Sequence, residues 1–296
     1  MAIAMIFDEI NNFFALVDRL ISGWRGRKVK DVKSVPRRFV ELFESHGVSR
    51  SQIPRFFGHD IQLSDLVNDE SLLAKLTEPV LNAACSLFAV RREWLDRSDE
   101  EPYARHQFYK APENFASFID KLKSANPQVE LDGYLIVSID GLRREDSVLI
   151  LGESVGMIGD TIIYRYHFCD DWAYSYWKSR AYLTACVAIA WKNNVYIKGR
   201  YAEDRDLSIL LSKQVLPGQI VNRIAMHGRR WYAEDLALSP EQYLKGLDAE
   251  RNLFGTTSAL RLWLQLENDG WMNTGVSETA RSSFEEELAR YGTAEQ

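Results

Sequence analysis

Apolar and polar positions alternate along this chain with two different periods, and the change of period divides it. Ile3, Ile6, Phe7, Ile10, Phe14, Val17 and Ile21 recur at helical spacing, with Phe13 and Leu20 widening the stripe, so residues 1–23 read as an amphipathic helix. Gly23 to Ser34 is a linker, and Pro36 suits the first turn of the next helix, whose apolar face is Phe39, Val40, Leu42 and Phe43. Gly47 closes that helix, Ser49 is placed to cap the next, and Ile53, Phe56 and Phe57 form its short apolar face. Gly58 marks a turn, Ile61, Leu63 and Leu66 a third element, and Leu72, Leu73, Leu76, Val80, Leu81, Ala84, Leu87 and Phe88 a longer helix from about Ser71 to Ala89. Residues 98–127 form a connector with a helix over 112–124. From Leu131 the period shortens to two. Strands are predicted at 133–139, 147–151, 161–169, 183–191 and 195–201, the last two joined by a tight hairpin at Lys192-Asn193-Asn194. Helices return at about 203–214, 240–250, 257–268 and 277–291. The fold class is therefore a mainly α bundle over residues 36–97, followed over 128–296 by an α+β domain with an antiparallel sheet.

Composition refines this picture in two places. The chain is 46% hydrophobic and 26% charged, ordinary for a globular protein, and none of its apolar runs reaches the roughly 20 residues that span a bilayer. Its net charge of −6 is unevenly spread. Residues 24–55 hold nine Lys or Arg against three acids, 9 − 3 = +6, whereas residues 98–296 hold 22 basic and 29 acidic residues, 22 − 29 = −7. A basic patch on an acidic protein is an electrostatic footprint for phosphate, or a solvated linker. Cys85, Cys169 and Cys186 have neither metal nor disulfide spacing and lie in apolar runs, which suits buried thiols in a reducing cytoplasm.

The stretch Gly47-Val48-Ser49-Arg50-Ser51-Gln52-Ile53-Pro54-Arg55-Phe56-Phe57-Gly58, closed downstream by Phe88-Ala89-Val90-Arg91-Arg92-Glu93-Trp94-Leu95, resembles the helix-turn-helix domain of the Cro/phage-repressor-like (XRE) family. The resemblance covers residues 36–97. It implies that Ser49–Phe57 braces the DNA backbone and that residues 60–67 form a recognition helix in the major groove, with Gln52 on phosphate and Gln62 and Ser64 at base edges. Pro54 falls inside the bracing helix, where a proline beyond the first turn costs about 3 kcal/mol. Asp60 and Asp65, with Asp69 and Glu70 beyond, put four carboxylates and no Lys or Arg on the recognition segment. The grip on DNA then falls to the flanks: Arg25, Arg27, Lys28, Lys30 and Lys33 as an arm, and Arg37, Arg38, Arg50 and Arg55 on phosphates.

Elsewhere the chemistry is sparse. His46, His59, His106, His167 and His227 lack metal-ligand spacing, and the chain holds no phosphate loop, dinucleotide fingerprint or nucleophile elbow. No cofactor, metal or enzymatic activity is expected. The aromatics Tyr164, Tyr166, Trp172, Trp177 and Trp191 fill a core or line a ligand pocket, and His227-Gly228-Arg229-Arg230-Trp231-Tyr232 combines basic and aromatic groups as a nucleic-acid or partner contact does. The expectation is a cytoplasmic, homodimeric transcriptional regulator. It binds double-stranded DNA through the bundle, and its C-terminal domain senses a small molecule or a protein effector and reorients the paired bundles. The alternative is a bundle that docks a protein rather than DNA.

Overall fold

In the computed structural model, residues 35–96, 100–138, 146–212, 214–276 and 280–292 are described. The N-terminal helix expected over 1–23 and the arm residues Arg25, Arg27, Lys28, Lys30 and Lys33 lie outside them. The described chain begins with α1 (Val35–Ser45), whose Phe39, Leu42 and Phe43 are fully buried. A left-handed Gly47 turns the chain into the single 3-10 turn Arg50–Gln52 and then α2 (Ile53–Phe57). Pro54 stands in the first turn of α2, where its missing N–H has no intrahelical partner to lose, so it does not bend the helix. Gly58, His59 and Asp60 take φ of 73°, 54° and 57° in succession and reverse the chain. The short helices α3 (Asp69–Leu73), α4 (Glu78–Phe88) and α5 (Arg92–Leu95) complete the bundle.

Beyond it lie β1 (Arg105–His106), α6 (Pro112–Ala125), β2 (Leu131–Ser138), β3 (Asp146–Ile158) and β4 (Thr161–Ala173). Then come α7 (Trp177–Lys192), β5 (Ile197–Ala202), α8 (Asp204–Leu211), α9 (Gly218–His227) and β6 (Arg229–Tyr232). The chain finishes with α10 (Asp235–Leu238), α11 (Pro240–Leu244), α12 (Phe254–Asn268) and α13 (Ala280–Gly292).

The six strands make one sheet in the order β1-β4-β3-β2-β5-β6. The antiparallel sheet expected from the sequence is corrected: β1 pairs with β4 and β2 with β5 in parallel, and only the other three pairings are antiparallel. The cause is α7. Residues 183–191, expected as a strand, are the second half of a 16-residue helix, and Lys192-Asn193-Asn194 ends it instead of forming a hairpin. Asn194 does adopt positive φ, 57°, but as the residue that terminates a helix. A helix between β4 and β5 carries the chain back across the sheet, so β5 enters in the direction of β2.

One face of the sheet packs on the bundle and on α8 and α9. Phe39, Phe43 and Phe88 share a core with Ile136, Val148, Ile150, Ile163 and Phe168, joined by Leu207, Leu210, Val221 and Ile224. His46, at the end of α1, is buried in this seam. Its Nδ1–H donates to Leu42 O at 2.7 Å, and the Tyr103 hydroxyl donates to its Nε2 at 2.8 Å. Burial holds its imidazole down to about 4. Gly218 lies so close to α1 that a Cβ there would sit 2.3 Å from Ser45 O, which ties α9 to the bundle. The opposite face packs on α6, α7 and α10 through Leu135, Val137, Leu149, Leu151, Leu183 and Val187. Outside α7 an outer layer of α11, α12 and α13 buries Tyr243, Trp263 and Phe284, with Trp263 and Phe284 stacked at 3.7 Å.

Candidate nucleic-acid interface

The bundle residues expected to touch DNA divide into those spent on the fold and those left outward. Arg38 donates to Trp94 O and lies 5.1 Å from the centroid of the Trp94 ring. Arg50 donates through Nε to Leu66 O at 2.9 Å and stands 3.9 Å from Asp69. Gln52 Oε1 accepts from the Ser49 N–H at 3.0 Å and from the Ser49 hydroxyl at 2.7 Å, so this side chain is a cap. Arg37, Arg55, Gln62 and Ser64 are exposed. The acids are also partly spoken for: Asp65 accepts from the Gln62 N–H at 2.9 Å, and Asp69 faces Arg50. The segment expected as a recognition helix is one 3-10 turn, Leu63–Leu66. A four-residue turn presents Gln62 and Ser64 but no helix face to lay along a groove, and Leu63 and Val67 beside them are 61% and 77% exposed.

A second surface is built by the sheet. Alternation along β2 sends Leu135 and Val137 into the core under α7 and turns Tyr134 and Asp132 to the bundle side. Register then sets neighbours: Tyr134 pairs with Lys198 of β5, and Lys198 with Tyr232 of β6. One step along, Arg200 pairs with Arg230, and on the other side Asp132 faces Gly152, which faces Tyr166. Of these groups Asp132, Tyr166 and Arg200 are buried and Tyr134 is half-buried, while Lys198, Arg230 and Tyr232 are exposed and form the open part of the face. Edge strand β6 keeps its place because Gly199 lacks a side chain. A Cβ there would stand 2.5 Å from the Trp231 ring, and with none Trp231 lies flat on β5 while Arg230 and Tyr232 turn to the open face.

The electrostatics of this face are positive around an aromatic centre. Lys198 Nζ and Arg200 Cζ each lie 5.6 Å from the Tyr134 ring centroid, an approach that favours cations over the π face. Lys198 also pairs with Asp132; burial works against its charge, but that carboxylate outweighs burial and holds the ammonium pKa up. Burial pushes the Arg200 guanidinium pKa down; the Tyr134 phenol opposes this and the charge of Arg230 adds to it. Burial raises the Tyr134 and Tyr164 phenols, which stay neutral as stacking surfaces. Tyr166 donates to Asn222 Oδ1 of α9 at 3.2 Å, and its ring lies 6.4 Å from Tyr164. Tyr196 is 48% and Tyr232 72% exposed.

Of the five aromatics considered as one pocket, only Tyr164 and Tyr166 meet here. Trp172 is buried under the other face and donates to Cys169 O at 2.7 Å, Trp177 begins α7, and Trp191 packs edge-on against Tyr196 at 4.9 Å. Sequence reasoning singled out the run from His227 to Tyr232 but missed Tyr134 and Lys198. The available signal was the polar and aromatic alternation of Asp132 and Tyr134 within an apolar strand. Cys85, Cys169 and Cys186 are buried thiols, and among the described residues no helix is long and apolar enough to cross a membrane. No family model, curated protein or solved structure matches this chain.

Proposed function

We propose that the protein binds nucleic acid, and that the open sheet face takes a single strand. The observation that carries this reading is the row Tyr134–Lys198–Tyr232 with Arg230 beside it on three paired strands. Planar bases stack on exposed rings, and cations between the rings meet the backbone phosphates. The test is fluorescence anisotropy with a labelled single-stranded oligonucleotide and its duplex. Tyr232→Ala should weaken single-strand binding by about 1–3 kcal/mol, the usual worth of one stacked base. Neutralising Lys198 and Arg230, a contact with about two phosphates, should flatten the salt dependence by about 1.4 in log–log slope. Equal binding by the wild type and a variant that combines Tyr232→Ala with neutralised Lys198 and Arg230 would end the proposal.

A second reading has its own support. With Asp65 held as a cap and Asp69 facing Arg50, two of the four carboxylates near the presumed reading element no longer point freely at phosphate. A homodimeric regulator that grips duplex DNA through Arg37, Arg55 and the preceding basic arm fits that arrangement, with Gln62 and Ser64 as its base contacts. Under this reading the duplex binds more tightly than the single strand, and neutralising residues 25–33 abolishes binding while Tyr232→Ala leaves it unchanged.

A further inference from the structure

On the far side of the molecule from the open sheet face, α7 and α12 cross closely. Ala181, Ala185 and Ala259 are fully buried at their contact and let the helices approach. Where the helices part, they leave a surface cleft of about 500 Å³. Helical spacing fills each wall from one helix face: Lys178 and Tyr182, four apart, from α7, and Arg261 and Gln265, four apart, from α12. Trp177 and Lys110 complete the rim. Among the described residues, three cations line this cleft and no carboxylate does.

That composition is unusual for a solvated crevice, where cations are ordinarily interspersed with acids. Lys110, Lys178 and Arg261 set three positive charges around one concavity, a field that favours an anion. The aromatic part is equally defined. Lys178 Nζ lies 4.8 Å from the Trp177 ring centroid, Phe254 meets Trp177 edge-on at 6.1 Å, and Tyr109 meets Tyr182 edge-on at 5.9 Å. On the rim, Lys110 holds φ 62° without being glycine.

We infer that this cleft binds a nucleoside phosphate, its phosphates on Lys178, Arg261 and Lys110 and its base against the Trp177 and Tyr182 rings. The volume lies within the range of small-molecule sites and is too small for a folded partner. This inference does not rest on the nucleic-acid reading, because the cleft shares no residue with the open sheet face.

Isothermal titration of the full chain with ADP, inorganic phosphate and adenosine tests it. ADP is expected to bind saturably with Kd below about 1 mM, and phosphate or adenosine alone at least roughly tenfold more weakly. Lys178→Gln with Arg261→Gln should weaken ADP at least roughly tenfold. Gln265→Glu and Arg261→Glu, both at exposed positions, provide a second variant whose fold is not at risk, and it should abolish binding. Oligonucleotide binding by both variants is expected to equal that of the wild type. No saturable ADP binding, equal affinity for ADP and adenosine, equal affinity for ADP and phosphate, or binding that survives the charge reversal would each overturn the inference.

Discussion

His46 joins the helical bundle to the sheet, and its titration should be readable in the stability of the whole protein. Its imidazole is completely buried, both nitrogens are used, and burial lowers its pKa from 6.5 to about 4. The folded form therefore binds a proton less readily than the unfolded form, which takes one up near 6.5. In the window between, the unfolded chain carries more protons, so stability rises with pH. The contribution is complete above pH 6.5 and is lost as pH falls from 6.5 towards 4. The difference, 6.5 − 4 = 2.5 pH units, corresponds to about 3 kcal/mol at 1.36 kcal/mol per unit. Urea unfolding at half-unit steps from pH 7.5 to 3.5 measures it in the wild type and in His46→Gln. The variant will be less stable at neutral pH, because the Tyr103 hydroxyl and Leu42 O lose their partner, but the readout is the slope. The wild type should lose up to about 1.4 kcal/mol per pH unit more than the variant in this window. Parallel curves would refute the account, since other groups titrate equally in both.

Three other perturbations test different parts of the fold. Glu153, buried and bonded to Arg165, His167 and Asn126, has its pKa drawn down to about 2: burial opposes this, but the hydrogen bonds and charge of His167 and Arg165 outweigh it. Its stabilisation should persist above pH 4.5 and disappear as pH falls towards 2, and Glu153→Gln should cost about 3 kcal/mol at pH 7 and flatten that acid limb in denaturant titrations. Arg180, with no exposed surface, lies 3.5 Å from the Tyr174 ring centroid and donates to Tyr174 O and Tyr243 O at 2.8 Å each. Arg180→Met strands both carbonyls and should lose at least about 2 kcal/mol, seen as a lower Tm. Gly199→Ala drives a methyl into Trp231 and should cost about 1–3 kcal/mol, with faster amide exchange in β6 than in β2.

What could be read in advance depended on which faces are wet. Elements with one polar side, such as α1 and α6, announce themselves by period. Helix α7 does not, because Leu183 to Ala190 is buried all round and an apolar run without a wet face carries no helical signature. Its alanines at 181, 185, 188 and 190 and its 16-residue length were the clues against a strand. Mistaking α7 reversed β5, and with it the parallel pairing. Asp65 carries a charge that sets it against phosphate, yet three residues after Gln62 it has the spacing of a cap, as Asn68 has three before Ser71. The open sheet face was out of reach for another reason. Tyr134, Lys198 and Tyr232 are far apart in sequence and become neighbours only through strand register.

The seam between bundle and sheet bears on how portable residues 36–97 are. A module that works as a detachable head can be excised, transplanted or swung on a tether. Here Phe43 and Phe88 close onto the same apolar mass as Ile150 and Phe168, and Ser45 abuts Gly218. Cutting the chain after the bundle would expose a hydrophobic strip on both fragments, which favours insolubility over two working halves. Any signal passing from one part of this molecule to the other must then move the two as a rigid unit, or pay to open their common interior.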